Sequence, residues 1–173
     1  MTEKKDPSKD TETQTPTVIL SGESDSVDMG GFGVDWKIDG TDTDERFAVV
    51  HHPIDTGILA APLHYHHNED EYSYVLEGKM GALLGDDVVE AGPGTWVHKP
   101  REQWHTFWNA GDVPCHIIEV ISPAGFEDFF REVSEAGGDI EQLAQISEKY
   151  SLDMDFESVP ELCERFGLTF PLG

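Results

Sequence analysis

Three histidines and one glutamate are spaced to do chemistry in this chain. His64 and His66 stand two apart in the stretch from Pro62 to Glu71, and residues i and i+2 of an extended strand point to one face. Both imidazoles can therefore reach one point. Glu71 follows His66 by five residues. A short turn through Asn68 and Asp70 would return the chain antiparallel and bring the Glu71 carboxylate to that point. About forty residues on, His105 offers a third imidazole between Pro100 and Asn109. Three imidazoles and a carboxylate suit one borderline divalent metal ion and leave positions for water or substrate. Each imidazole must be neutral to ligate, so binding weakens at low pH. Iron, manganese, nickel, copper, cobalt and zinc all accept such a donor set.

The surrounding chain reads as short strands that would hold these groups. Apolar stretches near residues 32–39, 47–53, 58–66, 71–76, 79–84, 87–90, 95–98, 104–108 and 116–121 are separated by Gly- and Pro-rich turns. Gly85-Asp86 is a tight hairpin signal. Strands at about ten-residue spacing argue an all-β fold, a double-sheet jelly roll. Val18, Ile19 and Leu20 are expected to form a short edge strand, residues 21–31 a loop, and Lys99, Pro100 and Arg101 another loop. Pro53 is expected to stop its strand.

The pattern changes after residue 125. Phe126, Phe129, Phe130 and Val133 share a helical face that ends at Gly137 and Gly138. Ile140, Leu143, Ala144 and Ile146 form a second stripe. Pro160 suits the first turn of a third helix, which ends at Gly167. The expected division is a polar, disordered arm over 1–17, a β-barrel over 18–125, and a helical segment over 126–173 laid on the barrel.

These residues resemble the two cupin motifs. Gly57, His64, His66, Glu71 and Gly78 match the first, with one residue more than usual before the histidine pair. Gly94, Pro100, His105 and Asn109 match the second, without the usual glycine between Pro100 and His105. The resemblance covers residues 47–122 and is nearest to small, single-barrel, quercetin-dioxygenase-like cupins. It implies a double-stranded β-helix, a metal held by His64, His66, Glu71 and His105, with iron or manganese favoured, a homodimer, and a catalytic role for Glu71 as a base. It leaves the reaction open, because one scaffold hosts many chemistries.

The remaining features narrow the classes. The 173 residues carry a net charge of −24, from 35 acidic and 11 basic side chains. That charge repels nucleic acid and anionic membranes. No run of about eighteen apolar residues marks a membrane span, and no secretory leader is read, so a cytoplasmic protein is expected. Acidic residues spread this densely suggest a salt-adapted, halophilic protein whose self-repulsion is screened by salt. Cys115 and Cys163 fit no metal or redox spacing and are expected to be free thiols. Glu69 and Asp70 are expected to be solvated loop carboxylates, and His67 to lie outside the barrel. His51, His52, His98 and His116 are expected to be structural or surface histidines.

Strand alternation places Phe107 and Asn109 on the His105 face, and Ser73 and Val75 on the Glu71 face. With Met80 they are the expected pocket walls. Tyr72, Tyr74, Trp104 and Trp108 are expected on the outer faces, under the C-terminal helices or across a dimer. The function expected is a metal-dependent, dioxygenase-like enzyme acting on a small aromatic or enolisable molecule. A ligand-sensing barrel without turnover and a metal-dependent isomerase or epimerase are the alternatives.

Overall fold

Two antiparallel sheets face one another in the computed structural model, which describes residues 16–137 and 139–171. The expected arm lies, up to residue 15, outside them. The strands are β1 (Ser26–Asp28), β2 (Gly33–Ile38), β3 (Ala48–Ile54), β4 (Leu63–His66), β5 (Asp70–Glu77), β6 (Met80–Leu84), β7 (Asp87–Ala91), β8 (Trp96–Lys99), β9 (His105–Asn109), β10 (Cys115–Ser122) and β11 (Leu152–Asp155). The helices are α1 (Glu127–Ala136), α2 (Ile140–Lys149) and α3 (Ser158–Phe166). One sheet runs in the order β1-β2-β3-β10-β5-β8 and the other β11-β4-β9-β6-β7. Strands distant in sequence thus lie side by side in a jelly roll. No helix among the described residues is long and apolar enough to cross a membrane.

Alternation builds the interior. Along β3 the exposure alternates strictly, with Ala48, Val50, His52 and Ile54 buried. Val50 and Ile54 meet Val34, Val75, Met80, Ala82, Ile117 and Ile121 in one apolar core. A smaller cluster lies on the other side of the five-stranded sheet. There Trp108 stacks on Phe166 of α3 at 4.3 Å between ring centres. Gly81 makes that packing possible, since a Cβ there would sit 2.3 Å from the indole.

The structure corrects several expectations. Residues 18–20 stay exposed and form no strand. The sheet edge they would take is occupied by β1, inside the stretch expected to be a loop. Pro53 does not stop its strand, and β3 continues to Ile54. The facing residue is Gly33, where a Cβ would stand 2.6 Å from the proline ring. Lys99 is the last residue of β8, not part of a loop. The largest omission is β11, which pairs with the histidine strand β4 in the register Leu152–His66 and Met154–His64. The C-terminal segment is therefore hydrogen-bonded to the strand that carries two of the candidate ligands. Phe126, Phe129, Val133, Leu143 and Leu152 share the apolar core of the barrel.

Candidate metal centre

His64, His66, Glu71 and His105 converge between the sheets. β4 supplies the first two histidines, and β9 sets His105 directly across from His64. Glu71 comes from β5 in the opposite sheet, between Ile121 and Lys99. All four side chains are buried, and one ligand atom from each lies within 4.8 Å of the others.

The hydrogen bonds fix which nitrogens face the centre. Nδ1 of His64 lies 2.9 Å from the Pro62 carbonyl, and Nδ1 of His105 lies 2.9 Å from the Gln103 carbonyl. A carbonyl only accepts, so both Nδ1 atoms carry the hydrogen. Each neutral ring then keeps a lone pair on Nε2, turned inward. Nδ1 of His66 lies 3.5 Å from the Glu69 carboxylate, and its buried Nε2, 3.7 Å from Glu71 Oε1, has no hydrogen-bond partner among the described residues. Glu69 is buried, which corrects its expected place as a solvated loop carboxylate. A carboxylate behind a ligating imidazole orients the ring and raises its basicity.

This arrangement fits a metal ion. The Nε2 lone pair of His105 faces Glu71 Oε2 at 3.2 Å. Two acceptors at that distance require a cation between them, either a proton or a metal. Burial disfavours the protonated imidazole and lowers the pKa of His105 against the pull of Glu71. His64 is held well below the usual range by burial, then by the neighbouring imidazoles His105 and His66. These two rings are thus kept in the neutral form that ligation requires.

A buried ion pair lies beneath Glu71. Lys99 Nζ is 2.9 Å from Glu71 Oε2 and 2.9 Å from Glu119 Oε2, and it sits 4.4 Å from the centre of the Phe107 ring. Ser73 Oγ donates to Glu119 Oε2 at 2.8 Å. Burial alone would raise the Glu71 carboxyl, but Lys99 and then His66 outweigh it and hold it well below the ordinary value. Burial raises Glu119, further from the histidines. Glu71 is thereby kept ionised. Sequence reasoning missed Lys99 and Glu119. Alternation along β8 places Lys99 on the face of Val97, but a lysine is rarely buried without a partner, and its partners lie on another strand.

Above the ligands lies an apolar cavity of ≈ 60 Å³. Its walls include Phe32, His52 and Phe107 from the barrel, Phe126, Phe129 and Phe130 around α1, and Leu152 and Met154 from β11. Phe126 meets His66 edge to face at 4.4 Å between ring centres. Of the expected walls, Phe107 lines this cavity; Ser73, Val75, Met80 and Asn109 do not. Ser73 is committed to Glu119, while Val75 and Met80 fill the apolar core. The Asn109 side chain ties a turn, donating to the Ile54 and Val113 carbonyls and accepting from Gly111 N–H. His67 is exposed and meets Asp153 at 2.8 Å. His98 is exposed and stacks on Tyr72, and His51 and His116 lie on the outer face of the six-stranded sheet. His52 instead faces the cavity, a placement the sequence reading did not foresee.

The architecture defines a double-stranded β-helix with a histidine and glutamate centre in its barrel. Residues 52–121 match the cupin domain family, and this stretch of the chain is a cupin domain. It is 28% identical over 120 residues to quercetin 2,3-dioxygenase of Bacillus subtilis, covering 69% of this chain and 35% of that one. It is 28% identical over 148 residues to the alginate biosynthesis protein AlgA of Pseudomonas putida, covering 78% of this chain and 27% of that one. The chain thus spans about a third or less of these curated relatives. Among solved structures, KdgF from Halomonas sp. superposes with a TM-score of 0.58 at 20% identity, over 64% of this chain and 96% of that one. An oxalate decarboxylase of Bacillus subtilis superposes with a TM-score of 0.53 at 21% identity, over 60% of this chain and 29% of that one. These structural likenesses establish the fold.

Proposed function

We propose that the chain is a mononuclear metal-dependent enzyme of the dioxygenase-like kind, acting on a small aromatic or enolisable compound. His64, His66, Glu71 and His105 hold the ion, with iron or manganese favoured. A bound ion of this kind supplies Lewis acidity and one-electron chemistry with dioxygen. The observation that carries the reading is the juxtaposition of the four buried donors with an aromatic-walled cavity. No lysine or arginine lines that cavity among the described residues. Apart from the ion itself, a phosphorylated sugar or a dicarboxylate would meet no cationic group there to offset its desolvation. This favours an uncharged aromatic ligand over the substrates of a sugar-phosphate isomerase. Glu71 Oε2 is engaged by Lys99. Oε1 is the oxygen that accepts a proton from a substrate hydroxyl, and Glu71 is the catalytic base.

The reading includes a cytosolic homodimer. The outer face of the six-stranded sheet carries the Tyr74–Trp96 pair at 4.8 Å, and Trp96 is 60% exposed. An aromatic surface of this kind is suited to burial against a second copy. Sedimentation as a monomer in high salt would refute that part.

The test is elemental analysis of protein purified in high salt without a metal-affinity step, followed by oxygen uptake with catechol-like and enol substrates. About one equivalent of a redox metal and substrate-dependent uptake are expected, both lost in His105→Ala. Stabilisation by such ligands with no turnover under any redox metal would replace the enzyme with a sensing barrel.

A further inference from the structure

The cavity has a second polar pole. His52 is only 1% exposed, yet it belongs to none of the ion pairs around the metal-binding residues. Its Nδ1 lies 2.9 Å from the Gly33 carbonyl, so Nδ1 carries the hydrogen and Nε2 keeps the lone pair. Nε2 has no hydrogen-bond partner among the described residues. The ring is fixed by packing: it stacks on Phe32 at 4.8 Å and meets Phe130 edge-on at 5.3 Å. Phe107 stands 6.3 Å away between ring centres. A rigid acceptor is thereby presented from an aromatic wall into a cavity whose other polar lining groups are His64, His66 and Glu71.

We propose that His52 is a specificity-determining residue whose Nε2 accepts a hydrogen bond from a hydroxyl of a small, uncharged aromatic ligand. The ligand lies against Phe32, Phe107 and Phe130, between His52 and the metal-binding residues. The acceptor role follows from protonation state as well as geometry. Burial pushes His52 down to about 4, so the ring is neutral at pH 7. When a bound ring shuts out water, an acceptor left without a donor carries a desolvation penalty, and this makes the site reject a ring that lacks the hydroxyl.

The inference rests on the functional reading for where the ligand sits, and not on turnover. The test uses the full chain in high salt, both metal-free and loaded with Co(II). Phenol and toluene, similar in shape but differing in the donor, are titrated by calorimetry. Wild type is expected to prefer phenol by about tenfold more than His52→Phe does. His52→Gln, whose amide oxygen can accept, restores part of that preference. Metal content stays at one equivalent in all three proteins. A phenol-to-toluene ratio unchanged in His52→Phe overturns the proposal, as does failure of wild type to bind phenol. Wild type without metal uptake would sink the metal-enzyme reading alone, because the ratio in metal-free protein still decides the role of His52.

Discussion

Two histidine clusters lie on opposite faces of this barrel, and they use their nitrogens in opposite ways. Inside, the Nδ1 atoms of His64 and His105 are tied to backbone carbonyls, and the inward Nε2 of His66 has no hydrogen-bond partner among the described residues. Outside, Asp35 meets His51 Nδ1 at 2.9 Å, and His51 Nε2 meets His116 Nδ1 at 3.0 Å. The outer chain satisfies itself across β2, β3 and β10. The inner set leaves lone pairs aimed at one point. Proximity of imidazoles therefore does not define a metal centre; the unused acceptors do.

The comparison is tested most severely by deletion on each side. His66→Ala is expected to abolish stoichiometric metal uptake, whereas His51→Ala leaves it intact, as read by elemental analysis after dialysis. Equal losses in the two variants would erase the distinction. The support beneath Glu71 should give the next largest effect. Lys99→Met leaves two buried carboxylates without their shared cation, and breaking such a pair costs about 3–5 kcal/mol. Urea unfolding at fixed salt reads this, and a change under 1 kcal/mol would show that the pair is dispensable.

Glu69 sharpens the contrast on the inner side. Glu69→Gln removes the carboxylate behind His66 and is expected to weaken metal affinity about 10–100-fold. Competition against a chelator measures this, and unchanged affinity would reduce Glu69 to a packing role. A smaller effect follows from His52. In the unfolded chain this imidazole gains its proton near pH 6.5, but in the folded chain only near 4. Between these values the unfolded state binds the extra proton, so stability falls as pH drops from 6.5 toward 4. One such histidine contributes a slope of up to ~1.4 kcal/mol per pH unit. Metal-free His52→Phe should show a shallower fall across that window than wild type in chemical unfolding curves. Identical slopes would mean that His52 protonates equally in both states.

How much of this was legible depends on sequence distance. The His64–His66 pair and its turn to Glu71 follow from strand period two within ten residues, and a matching motif marked His105. The three helices were visible from their apolar spacing, and two of them from glycine stops as well. Lys99 and Glu119 were not legible as a pair, because their roles arise from registers joining β5, β8 and β10, whereas Glu69 meets His66 within the turn, three residues on. A charged residue in isolation reads as solvated, and only its cross-strand partner reverses that. The misplaced walls share a cause. Alternation gives the face of Ser73, Val75, Met80 and Asn109, but not their depth along the barrel, and the cavity lies toward the end covered by α1 and β11. β11 itself escaped notice because Leu152–Asp155 is four residues long and carries two aspartates.

That short strand decides where this protein can be cut. The segment matching the cupin family stops at residue 121, and β11 begins at Leu152. A chain shortened to the matched segment would leave β4 as a bare sheet edge, with its backbone donors and acceptors facing solvent. It would also uncover the phenyl-lined mouth of the barrel. Exposed edges of this kind recruit other chains. The family signature thus marks the chemistry of this molecule, while its solubility is expected to depend on residues beyond it.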